Sequence, residues 1–165
     1  MDHSGTVSGS DDAQQFGMRY SLDAGGSAIT LGYANTTTEV ADVADTDVTS
    51  TGIKIVNGDI SFMAAQGDYQ GNDEDRSTQS ASISYNMGNG LTFGYGTVAS
   101  EDDLDTGEEY TANHFEAQYS IASGLTAVVT VSDFDYKVTG AQHENGASMV
   151  NMNGSTTKLT IKAAF

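Results

Sequence analysis

Residues 155–165 read Ser-Thr-Thr-Lys-Leu-Thr-Ile-Lys-Ala-Ala-Phe, and the alternation in them decides the fold. Leu159, Ile161, Ala163 and Phe165 fall on one side, and Lys158, Thr160, Lys162 and Ala164 on the other. A period of two is that of a β-strand, whose successive side chains point to opposite faces. The stretch is therefore a strand with one apolar face and one wet face, and its apolar series finishes on an aromatic ring.

Working back toward the start, the same pattern recurs eight times. Over 125–132, Leu125, Ala127, Val129 and Val131 alternate with Thr126, Val128, Thr130 and Ser132. Over 113–121 the apolar set is Phe115, Ala117, Tyr119 and Ile121, and over 91–98 it is Leu91, Phe93 and Tyr95. The segments 79–87, 59–66 and 49–56 carry Ile83 and Tyr85, Ile60 and Phe62, and Ile53 and Ile55 in the same phase. Ile29, Leu31 and Tyr33 mark 27–35, while Phe16, Met18, Tyr20 and Leu22 mark 15–22. Tight turns stand near 24, 57, 89 and 123, a repeat of about 33 residues. Asn57-Gly58 is among them, the strongest short hairpin signal. The alternate connections, 36–47, 67–76, 99–112 and 133–154, are long and polar, and 1–13 reads as loop.

Composition narrows the function. The 165 residues suffice for one domain. There is no Cys, hence no disulfide framework, thiol chemistry or Cys-based metal site. Hydrophobic residues make up only 38%, yet the Tyr and Phe residues stand in too regular a pattern for a disordered chain. With 6 basic residues against 23 acids, for a net charge of −17, no basic stripe is available to bind nucleic acid. No apolar run reaches the ~18 residues a membrane-crossing helix needs. Met1-Asp2-His3-Ser4-Gly5 lacks the basic start and apolar core of a signal peptide.

A soluble sandwich has no reason to keep its short turns at one end and its long loops at the other. A transmembrane barrel does, and strands of about nine residues suit a tilted crossing. The terminal Phe165 with apolar residues at alternate positions before it resembles the assembly signal of bacterial outer-membrane barrels. On that basis the chain resembles the general porin family, the trimeric porins of the Gram-negative outer membrane. The expected fold is all-β, a transmembrane antiparallel β-barrel with about nine strands here. Barrels of this kind have even strand numbers, so nine suggests the C-terminal part of a 16-stranded barrel. Seven further strands and a signal peptide are then expected upstream of Met1, and 1–13 is the remnant of an outer loop.

The resemblance implies passive diffusion of small hydrophilic solutes and ions through a water-filled channel in the outer membrane. It also implies a homotrimer, contact with outer-membrane lipid, and recognition by the barrel-assembly machinery through Leu159, Ile161, Ala163 and Phe165. Alternation places Arg19, Lys54, His114, Glu116, Gln118, Lys158 and Lys162 opposite the apolar set, and these are the candidate pore-lining residues. Gly17, Gly32, Gly52, Gly94 and Gly96 share their face, where absent side chains relieve crowding on a concave sheet. Acids concentrate in the long loops, a negative mouth that favours cations unless the inner bases oppose it. Such acids also keep loops hydrated whether or not ions pass.

Other chemistries find little support. Asp103 and Asp105 alternate as weak metal candidates, but Gly107 stands one position late for a calcium loop. Asn113-His114 resembles the Asn–His pairing of outer-membrane phospholipases, with no Ser in the expected relation. No motif calls for a cofactor, and no enzyme is expected. Two rivals remain: a non-conducting structural or adhesive barrel, and a secreted soluble β-protein with acidic, ion-binding loops.

Overall fold

The computed structural model describes residues 12–39, 45–71, 75–102, 107–138 and 150–163, and every regular element among them is a β-strand. In chain order these are β1 (Asp12–Ala24), β2 (Ser27–Glu39), β3 (Thr46–Asn57), β4 (Ile60–Gln70), β5 (Asp75–Asn86), β6 (Leu91–Asp102), β7 (Glu108–Ala122), β8 (Leu125–Val138) and β9 (Val150–Ala163). Each is antiparallel to its chain neighbour, in one nine-stranded sheet ordered β1 to β9. Consequently β1 and β9 run in the same direction, and each has one margin without a strand partner among the described residues.

The nine expected strands are present, but they are longer than the apolar alternation suggested. Asp12 and Ala13 belong to β1 rather than to a loop, and β8 continues to Val138 where a loop was expected from 133. Likewise β9 begins at Val150, so 150–154 is strand. Outward apolar residues stop where lipid would stop, whereas the hydrogen-bond ladder has no such limit. β-branched runs such as Thr36-Thr37-Thr38 carry it further.

The turn after β3 is displaced by one residue, because Asn57 pairs with Ile60 and leaves Gly58-Asp59 as the connection. Gly58 has φ +56°, a left-handed conformation that side chains with a Cβ adopt at a cost. Gly58→Ala should therefore lower stability by about 1 kcal/mol, read as a shift in the urea midpoint in detergent.

Register sorts the side chains into two faces. Leu22, Ile29, Ile55, Phe62, Ile83, Tyr95, Phe115 and Val131 form one row across eight strands, all on the apolar face. That face is uncovered: Phe16 is 61% exposed and Leu159 68%. The only buried apolar side chains among the described residues are Val128 and Val138. A sheet with large apolar residues outward and almost no core is arranged for an apolar solvent.

The apolar band does not follow the rows. In β1 it centres near Arg19, whose row reaches β9 at Gly154 through Gly32, Gly52, Ala65, Ser80, Val98, Ala112 and Phe134. In β9 the band centres on Ile161, seven residues nearer the turn end (154 to 161). Seven rises of ~3.3 Å against eight strand spacings of ~4.8 Å tilt the strands by about 30° from the band's normal. That is close to the inclination of strands that cross membranes.

Candidate functional site

All seven expected lining residues lie on the face opposite the apolar band. Arg19 stands against Gly32 and Gly52, and Lys54 continues the row Ser21–Thr30–Lys54–Met63–Ser82–Gly96–His114. Glu116 and Lys158 share a row through Thr130, Gln118 pairs with Val128, and Lys162 with Thr126. Most of the residues between them are Gly, Ala, Ser and Thr, with Met63, Val98 and Val128 the larger apolar ones, so the strands present little bulk over most of this side. A trough of about 590 Å³ lies along it and brings Arg19, Lys54 and His114 together. Glu116, Gln118, Lys158 and Lys162 are outside that trough, further along the same face.

Toward the loop end of β6–β9 the two faces exchange character. The rows Thr97–Asn113–Asp133–Ser155 and Ala99–Thr111–Asp135–Asn153 are polar on the side that carried the apolar band. Their neighbours, Val98–Ala112–Phe134–Gly154 and Ser100–Tyr110–Tyr136–Met152, are apolar and aromatic on the inner side. Beyond the apolar band the outward surface is polar and carries carboxylates, and Lys137 answers Glu109 across the strands at 3.8 Å. Inside, the Phe134 ring lies so close over Gly154 that an added Cβ would sit 2.8 Å from it, and Val138 is 3% exposed.

This inner cluster also holds charge. The Arg76 guanidinium lies 3.8 Å from the Glu108 carboxylate, and buried Asp102 pairs with Arg76 in the register. Burial pushes the Tyr136 phenol above the usual tyrosine range, and so do the hydrogen bond it donates to Glu108 and that carboxylate's charge; Arg76 pulls the other way. A raised pKa of the neutral acid means that its share of stability is complete below the ordinary value near 10 and is lost as pH rises through the folded value. Tyr136→Phe should remove a late component from the alkaline absorbance titration of the tyrosines.

Sequence reasoning assigned Tyr110, Phe134 and Tyr136 to loops. A signal was present: Asp133-Phe134-Asp135-Tyr136-Lys137-Val138 alternates with period two, but its apolar residues have switched parity.

The remaining candidates separate. Asn113 faces outward and accepts a hydrogen bond from the Tyr95 hydroxyl at 3.0 Å, whereas His114 faces inward, so the two cannot act on one substrate. Asp103, Asp105 and Phe165 lie outside the described residues. Among the described residues no three metal-ligating side chains gather. Leu159, Ile161 and Ala163 pair with Val129, Ala127 and Leu125 on the outward face.

No family model and no curated protein matches this sequence. Solved structures do. An anion-selective porin from Comamonas acidovorans superposes with a TM-score of 0.65 at 14% identity, over 92% of this chain and 49% of its own. In-vitro folded OmpT, an outer membrane protein of Vibrio cholerae, superposes at 0.58 and 12% identity, over 90% of this chain and 54% of its own. A loop L8 deletion mutant of that protein gives 0.55 at 13% identity. This chain thus spans about half the length of the structures it matches, and its fold is that of the wall of a porin-like outer-membrane β-barrel.

Proposed function

We propose that this chain is part of a porin of the Gram-negative outer membrane, lining a water-filled passage for small hydrophilic solutes and ions. The observation that carries the reading is the division of one sheet into an uncovered apolar face and a concave face of small, polar and basic residues. A soluble β-protein would cover the first, and a plugged barrel has no use for the glycines of the second. In this reading the chain supplies nine strands, the C-terminal part of a 16-stranded barrel, and the intact protein is a homotrimer. The outward face of β9 carries the signal for the assembly machinery.

Cation preference is part of the proposal, supported by the net charge of −17 and by Asp102 and Glu108 on the inner face near the mouth. Arg19, Lys54, Lys158 and Lys162 oppose it at the level of the band. Reconstitution of the intact protein in a planar bilayer tests both parts. Stepwise conductance is expected, with a reversal potential in a salt gradient on the cation side. An anion-side potential would show that the four bases prevail, and absence of steps would end the channel reading.

A further inference from the structure

The inner cluster at the loop end encloses a cleft of about 230 Å³ lined by Arg76, Ser100, Glu108, Tyr110 and Tyr136. Four adjacent strands supply these residues: β5 gives Arg76, β6 gives Ser100, β7 gives Glu108 and Tyr110, and β8 gives Tyr136. Ser100, Tyr110 and Tyr136 are consecutive partners in one register row, so their spacing is set by the ladder rather than by a loop. We propose that this cleft is a docking site in the mouth of the passage for the ring of a neutral sugar.

The chemistry of the lining selects that class. Two phenol rings line the cleft, and an aromatic ring suits the C–H side of a pyranose; Tyr110 is 38% exposed, open to a ligand. Arg76 and Glu108, 3.8 Å apart, present donors and an acceptor side by side, as vicinal hydroxyls require. The Ser100 hydroxyl, which shares a hydrogen bond of 3.0 Å with Thr78, completes the polar edge. An anion would meet Glu108 with Asp102 close by, and a cation would meet the guanidinium. A neutral polyol need displace neither charge. At about 230 Å³ the cleft is smaller than the ~300–1,000 Å³ of sites for drug-sized ligands, which limits it to a single ring.

The site rests on the channel reading only for its purpose, and the two can fail separately. Saturation-transfer NMR titration of D-glucose against the intact protein in detergent micelles should show saturable binding. Tyr110→Ala and Glu108→Gln should each weaken it by about tenfold. Tyr119→Ala, on the outward face, should leave it unchanged and also report that the detergent fold is intact. Absence of saturation in the wild type, equal binding by Tyr110→Ala, or preferential binding of L-arginine or citrate would each overturn the site. Swelling of proteoliposomes in D-glucose reads the channel independently. Saturable binding without swelling keeps the site and removes the channel, and swelling without saturable binding does the reverse.

Discussion

Ile83→Arg is expected to destabilise the sheet in phospholipid vesicles by about 2–4 kcal/mol, while Ser84→Arg, one residue on, should cost under about 1 kcal/mol. Ile83 lies in the outward row between Phe62 and Tyr95 and is 50% exposed, with no helix or second sheet over it among the described residues. A guanidinium there must be held in hydrocarbon or stretch to the headgroups. Ser84 lies between Ser61 and Gly94 on the inner face, where an arginine would find water. The decisive feature is depth. On the same outward face of β5, Gln79 stands beyond the band, and Gln79→Arg should lose most of the penalty. Urea unfolding of the three variants in vesicles measures this directly. A penalty independent of depth would mean that protein, not lipid, covers the outward face.

The second large effect separates two glycines that face each other. Gly32 and Gly52 are register partners on the inner face, and sequence gives no ground for ranking them. A Cβ on Gly32 meets nothing within 4 Å, whereas one on Gly52 would lie 3.3 Å from the Ala64 carbonyl oxygen and 3.5 Å from the Ala65 Cβ. The nearest obstacle is backbone, which cannot turn aside as a side chain could. Gly52→Val should therefore cost about 1–3 kcal/mol. Gly32→Val should be neutral within about 0.5 kcal/mol or mildly stabilising, since valine suits a strand. Heat-dependent mobility on gels screens folding, and urea midpoints rank the pair. Equal midpoints would refute the close approach.

The same comparison shows how far the sequence carried the fold. Period-two alternation with an apolar set in constant phase located all nine strands, because one face of every one of them is apolar and uncovered. Arg19, Lys54, Glu116 and the rest could be placed on the opposite side by counting alone. Strand ends could not, since the alternation loses its apolar signature beyond the band while pairing goes on. Sequence places the acids at those ends in long loops that make the mouth negative, without assigning them a face. Register turns Asp47, Asp68, Asp75, Glu101, Glu109, Asp133 and Asp135 outward, and among the described strand acids near the mouth leaves Asp102 and Glu108 inside. Once a carboxylate is known to lie in a strand its parity fixes which way it points, but the loop-ward ends of the strands were not legible. The aromatic cleft was missed because the alternation over 133–138 carries its apolar residues on the other parity.

The slant of the strands also determines which inner charges stand level with one another in the wall. Row partners of Arg19, such as Ala112 and Gly154, stand on different storeys of the wall once the drift of seven residues toward the turns is followed. Traced along the drifting band, Arg19, Lys54, Gln118 and Lys162 come nearly level, with Glu116 a step nearer the loops and Lys158 further still. Three positive groups and an amide, contributed by strands remote from one another in the ladder, then form one horizontal hoop. Arg76 and Glu108 stand several steps higher, so in the proposed channel a solute coming from the loop side would reach the cleft well before the hoop.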